Sequence, residues 1–177
     1  MSAVGDGPGD SFWTLPGEHA EIAIERVGEF PLLAECLAVW RRLAGGGLPA
    51  AIDPLQFPRA AIRGLNLFER EPASDDWRIR IVGSLVTDHV GCELRGTGLV
   101  QNFTDADRGV VRAALNAAAS RREPDLLRRH WVDPRGVRWA YVRLYLPLSG
   151  DGATVDRFAT VIDPPSFGRV PADPAGV

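Results

Sequence analysis

Helical periodicity interleaved with β-forming runs predicts an α+β layer architecture: five strands in antiparallel runs around one helical block, preceded by an N-terminal amphipathic helix. Two observations carry this. The first is the stretch from 138 to 162, which reads RWAYVRLYLPL, then SGDGAT, then VDRFATVI. Two β-rich runs around a Ser-Gly-Asp-Gly turn are the sequence form of an antiparallel hairpin. Aromatic and aliphatic residues alternate along the first run, so both faces of that strand have apolar groups to bury. The second is the element order: helix, two strands, short helical turns, long helix, three strands. Runs of antiparallel strands around one helical block make a layered α+β domain.

Each element has a local reason. Residues 1–11 are rich in Gly, Asp and Ser and predict disorder. Residues 12–30 hold Phe12, Trp13, Leu15, Ile22, Ile24 and Val27 among charges and predict a loosely docked arm. Pro31 opens a helix, and Leu33, Cys36, Leu37, Trp40 and Leu43 recur at helical spacing until Gly45-Gly46-Gly47 stops it. A helix this short is not stable alone in water, so its stripe must rest on the sheet or on a second copy. Asp53 and Pro54 predict a capped helical turn. Strands follow at 65–69 and 78–86, with Gly83 marking a bulge or a close approach. Gly91 to Phe103, broken by glycines, predicts small helical turns. Thr104 caps the long helix, and Asp107 is placed to reach back to it. Val110, Val111, Ala114, Leu115 and Ala118 form that helix's apolar stripe. Strands at 126–132, 138–148 and 155–162 complete the domain, which spans 31–163. Residues 164–177 are a Pro-rich tail.

Composition narrows the function classes. The 177 residues carry a net charge of -3 with 45% apolar residues, which fits one globular domain and not a basic nucleic-acid binder. All the basic residues are Arg and none is Lys. The arginines are scattered, so nucleotide-composition bias explains them better than a phosphate surface does. Without Lys a P-loop is impossible. Cys36 and Cys92 match no disulfide or zinc spacing. No apolar run is long enough to span a bilayer and no signal-peptide pattern opens the chain, so a cytoplasmic protein is expected. No Ser-His-acid arrangement or other catalytic motif is present, so no enzymatic activity is expected.

Three segments carry a family resemblance. Gly91-Cys92-Glu93-Leu94-Arg95-Gly96-Thr97-Gly98-Leu99 is similar to the pattern that opens the small-helix region of PAS domains. Trp40, Leu43, Leu48, Pro49, Ile52, Asp53 and Pro54 resemble the lead-in helix and the Leu-Pro then Asp-Pro elements of a bacterial stand-alone PAS subfamily. Leu146 to Gly152 resembles the turn between its last two strands, and Arg78 to Ser84 its second strand. Ala50 and Ala51 depart from that pattern, as does Arg95. The resemblance, over residues 32–163, implies a PAS-like fold: a five-stranded antiparallel sheet with helices on one face, enclosing a small cavity. It implies a sensory module that binds a small molecule or a partner protein. A constitutive dimerisation adapter without ligand is the alternative. The resemblance names no cofactor.

Candidate residues follow from these readings. Cavity candidates are Leu99, Val111, Leu115, His130, Val142, Leu144 and Phe158. If Ala140, Val142, Leu144 and Leu146 point inward, then Trp139, Tyr141, Arg143 and Tyr145 point outward. Interface candidates are therefore Trp139, Tyr141 and Tyr145 with Leu33, Leu37 and Trp40 of the helix expected to cover them, in the same chain or in a homodimer. A separate signalling protein is a further expected partner. His89 reads as a turn residue facing solvent, Asp75-Asp76 as a solvated turn, and neither as a metal site.

Overall fold

The computed structural model describes residues 18–133 and 135–171. The expectations for residues 1–17 (Phe12, Trp13 and Leu15 among them), for Pro134 and for 172–177 lie outside the described residues.

The chain is α+β, built on one antiparallel sheet. Its strands are β1 (Glu18–Ile22), β2 (Leu65–Glu71), β3 (Asp76–Ile81), β4 (Asp125–Val132), β5 (Arg138–Leu148), β6 (Arg157–Ile162) and β7 (Gly168–Arg169). They lie in the order β1-β4-β5-β6-β2-β3, and β7 adds to the start of β5. All five expected strands are present, but the sheet has seven. The arm contributes β1, which pairs Glu18 with His130 and Ile22 with Leu126. The tail contributes β7, where Gly168 pairs with Ala140 and Arg169 with Trp139. Residues 18–30 and 164–169 are thus built onto the domain. Neither strand has a strong apolar alternation, because an edge strand can stay largely polar.

The helix α1 (Pro31–Ala44) forms as its spacing predicts, with Pro31 in the first turn and Gly45 closing it in the left-handed region at φ 54°. Its stripe packs on the sheet of the same chain. Leu33, Cys36, Leu37 and Trp40 form one apolar cluster with Leu126, Val142, Leu144, Leu146 and Val161. Leu33, Leu37, Leu144 and Leu146 are at most 1% exposed, and each such burial stabilises the fold by about 2 kcal/mol. The Trp40 indole N–H donates to the Pro147 carbonyl at 2.8 Å, fixing the helix across β5.

This packing inverts the expected faces of β5. Val142 and Leu144 lie under α1, while Trp139, Tyr141 and Tyr145 belong to the opposite cluster. Both sides of β5 are buried, so alternation alone does not say which side is which. The homodimer expected through α1 loses its basis as well, since Leu33, Leu37 and Trp40 are spent on their own sheet.

On that opposite face lie α2 (Ser84–Val90), the turns of 91–103 and α3 (Asp105–Arg121). The strand expected over 78–86 ends at Ile81 instead. Gly83 turns the chain away. A Cβ there would collide with the Arg63 and Leu65 carbonyls. Asp76 is buried at 6% exposure, not solvated as expected. Its carboxylate accepts from the N–H groups of Trp77, Val100 and Gln101 at 2.6, 2.8 and 3.1 Å, which ties the helical turns to β3. Thr104 bonds the Asp107 carboxylate with its hydroxyl at 2.6 Å. Of the stripe expected on α3, Leu115 and Ala118 are buried, but Ala114 is exposed and Val110 is 61% exposed.

Two outcomes test this packing. Trp40→Phe should lower stability by about 2 kcal/mol, through one lost buried hydrogen bond and lost contact area. Urea unfolding that shows no change would contradict the anchoring role. A Cβ at Gly64 would collide with the Ile162 carbonyl oxygen, so Gly64→Ala should cost roughly 1–3 kcal/mol in the same measurement.

Candidate functional site

Between α3 and the sheet lies a cavity of about 310 Å³. Its roof is apolar and comes from α2, the turns and α3: Val86, Leu94, Leu99, Val111, Leu115 and Ala118. Its floor is the sheet face opposite α1. Register fixes which floor residues neighbour one another. Arg129 of β4 lies across from Tyr141 of β5, Leu127 from Arg143, and Asp125 from Tyr145. Asn66 of β2 and Thr160 of β6 form the next pair. His19 and Glu21 of β1 close the outer edge.

The cavity exists because α3 is held at its margins. Arg70 donates to the Asn116 side chain at 3.0 Å, and Arg112 donates to the Asp75 carbonyl at 3.0 Å. Arg108 donates to the Gln101 and Phe103 carbonyls at 2.8 and 3.0 Å. Arg121 pairs with Asp125 at the other end. Between these ties the helix presents small side chains, Ala114, Ala117 and Ala118, which do not fill the space above the floor. Val110 is exposed because it stands at the mouth.

The floor is polar and cationic. The Arg129 side chain is 3% exposed and hydrogen-bonds the Tyr141 hydroxyl. The Arg143 guanidinium lies over the Tyr145 ring, 4.1 Å from its centroid. Burial pushes the Tyr145 phenol up. Tyr141 is equally enclosed, and burial is its largest influence, but Arg143 and Arg129 outweigh it and bring its phenol down. His19 is exposed on the outer edge strand, but its partial enclosure at the cavity rim and then the positive charges of Arg143 and Arg129 push its imidazole below its ordinary value, so it is neutral at pH 7. Asn66 donates to the Gly64 carbonyl at 3.1 Å and accepts from the Gly83 N–H at 3.1 Å, joining β2 to the start of α2.

Of the expected cavity residues, Leu99, Val111 and Leu115 line this space. Phe158 is on the same sheet face but packs beside it against Trp77 and Tyr145, at 4.8 and 5.5 Å between ring centroids. Val142 and Leu144 are corrected to the α1 side, and so is His130, which lies across from Ala140 and Glu18. Tyr141 and Tyr145, expected at an interface, line the cavity, and Trp139 sits beyond its end. There Trp139, Trp131 and Phe167 surround His89 with centroids 4.7, 5.5 and 5.4 Å away. His89 is therefore a packed residue of α2, not a solvent-facing turn, and burial lowers its pKa. The missed residues are Arg129, Arg143, His19, Asn66 and Thr160. The signal that marks Arg143 is its place at alternate spacing between Tyr141 and Tyr145.

Burial pushes the Cys36 thiol up to about 12, which makes it a packing residue with no thiolate chemistry. Among the described residues no group of three His, Cys, Asp or Glu side chains could hold a metal ion. No described helix is long and apolar enough to cross a membrane.

The His19 imidazole should titrate below its ordinary value of about 6.5 when followed by NMR. Its depressed pKa favours the fold above about pH 6.5. That contribution is lost as the pH falls below this value. Arg129 lies across from His19 and Arg143 one strand beyond, with Glu21 beside it on β1 and Asp125 on β4, so Arg143→Gln should move the midpoint upward. A midpoint that stays near 6.5 in the wild type would contradict the described floor.

No family model matches the chain, and neither a curated protein nor a solved structure matches it significantly.

Proposed function

We propose that this chain is a cytoplasmic PAS-type sensory module that binds a small molecule in the cavity under α3 and signals to a separate partner protein. The observation that carries this reading is the cavity of about 310 Å³ itself. It lies in the lower range of volumes that hold small ligands, and it has an apolar roof with a few convergent polar groups. The sheet with helices over the cavity is also what the resemblance of residues 32–163 implies. The module works by binding and not by catalysis. Occupancy would shift α3, whose links to the rest of the fold are mostly polar and peripheral and therefore rearrange at low cost. The alternative, a ligand-free adapter, requires a floor and roof in contact. The space between them counts against it.

Filling the space tests the reading. Ala114 lines the cavity but is exposed, so Ala114→Phe adds a ring there without displacing packed core. Native mass spectrometry of the wild-type protein, after incubation with a small-molecule extract, should show a discrete adduct that Ala114→Phe abolishes at unchanged melting temperature. No adduct on the wild type, or an equal adduct on the variant, would refute it.

A further inference from the structure

Resting on that ligand-binding reading, we propose that the cavity selects an organic monocarboxylate with an apolar body, whose carboxylate is held by Arg143 and Arg129.

The roof and the floor ask for different chemistry. Above are aliphatic side chains, including Val86, Leu99, Val111 and Leu115. Below are two arginines on adjacent strands and one face, at the diagonal spacing across β4 and β5 where long side chains reach each other. Like charges set side by side in a half-enclosed site repel, and an anion between them removes that cost. The acids at the site do not serve as that anion. Asp125 pairs with Arg121 at the cavity end. Glu21 sits exposed on the edge strand β1. Arg143 makes no ion pair with any described residue, and its Nε atom is buried with no hydrogen-bond partner among them.

The way Arg143 is held favours a carboxylate over a diffuse anion. Its guanidinium carbon lies over the Tyr145 ring, 4.1 Å from the centroid, and 5.9 Å from the centroid of the Tyr141 ring. Stacking uses the face of the group and leaves the donors at its edge free to form two parallel bonds. A fork already fixed in place loses little freedom on binding a planar carboxylate. Arg129 adds a second charge and is itself positioned by the Tyr141 hydroxyl. The neutral imidazole of His19, the hydroxyl of Thr160 and the Asn66 amide, which is already bonded to the Gly64 carbonyl and the Gly83 N–H, are further polar groups on the floor. The small volume excludes a large conjugate such as an acyl-nucleotide.

Three probes with one tail separate the possibilities: octanoate, octanol and octylamine, titrated by calorimetry into the full chain at pH 7. Octanoate should bind at least about tenfold more tightly than octanol, and octylamine more weakly still. Arg143→Gln should reduce octanoate to the octanol level and leave octanol unchanged. Arg143→Lys keeps the charge without the fork, and should fall between. Octanoate should also raise the midpoint of His19 in the wild type, since an anion offsets the two arginines. Octanol binding as tightly as octanoate would overturn the carboxylate assignment while leaving the cavity reading intact. Failure of all three probes to bind a folded wild-type protein would overturn both. If Arg143→Gln does not fold, unaltered octanoate affinity in Arg143→Lys would overturn the role of the fork.

Discussion

Strand β5 must be buried on both faces, and the rest of the structure depends on how its 11 residues divide between them. Its even-numbered middle positions, Val142, Leu144 and Leu146, are aliphatic and meet α1. Its odd positions, Tyr141, Arg143 and Tyr145, are amphipathic and meet the cavity. A one-residue slip would put Arg143 beneath Leu37 and expose aliphatic groups to the polar site, so register and function are the same constraint here. The Trp40 bond to the Pro147 carbonyl helps hold that register from the α1 side.

The two faces are packed to different degrees. Under α1 the interlocked Leu, Val and Ala side chains leave almost no exposure. Under α3 the helix carries alanines where a closed core would carry larger groups, and arginine links at its margins hold it off the floor. A tightly packed layer supplies the stability that a loosely packed layer gives up. This is the division expected of a domain in which one face holds the fold and the other adapts to an occupant.

Much of the fold is legible in the sequence. α1 has a proline start, a glycine stop and an apolar stripe, and it forms at the expected residues. The five central strands are marked by β-branched and aromatic runs. Less legible are features that depend on tertiary partners. β1 reads as a charged arm because its outer edge needs no apolar residues. Ser84 to Val86 reads as strand, yet Gly83 meets two carbonyls that permit no side chain, and the chain turns into α2. Asp76 reads as a surface turn residue because its three backbone partners lie one and about two dozen positions away. The cavity floor is the hardest to see. Arg129 and Arg143 belong to a chain in which arginine is spread throughout, and only strand pairing brings these two onto one face. Val111 and Leu115 are legible as cavity residues because helical spacing gives them a common side of α3. Val142 and Leu144 read as cavity residues because β5 is apolar on both faces, and His130 because alternation along β4 does not say which face is which.

The most direct test is a methyl NOESY spectrum of selectively labelled protein, which reads the faces of β5 without reference to any ligand. The account predicts cross-peaks from the Val142 and Leu144 methyls to Leu33 and Leu37 of α1, and none to Val111 or Leu115 of α3. Cross-peaks from Leu144 to Leu115 with none to α1 would place the arginines on the other side of the sheet and contradict it.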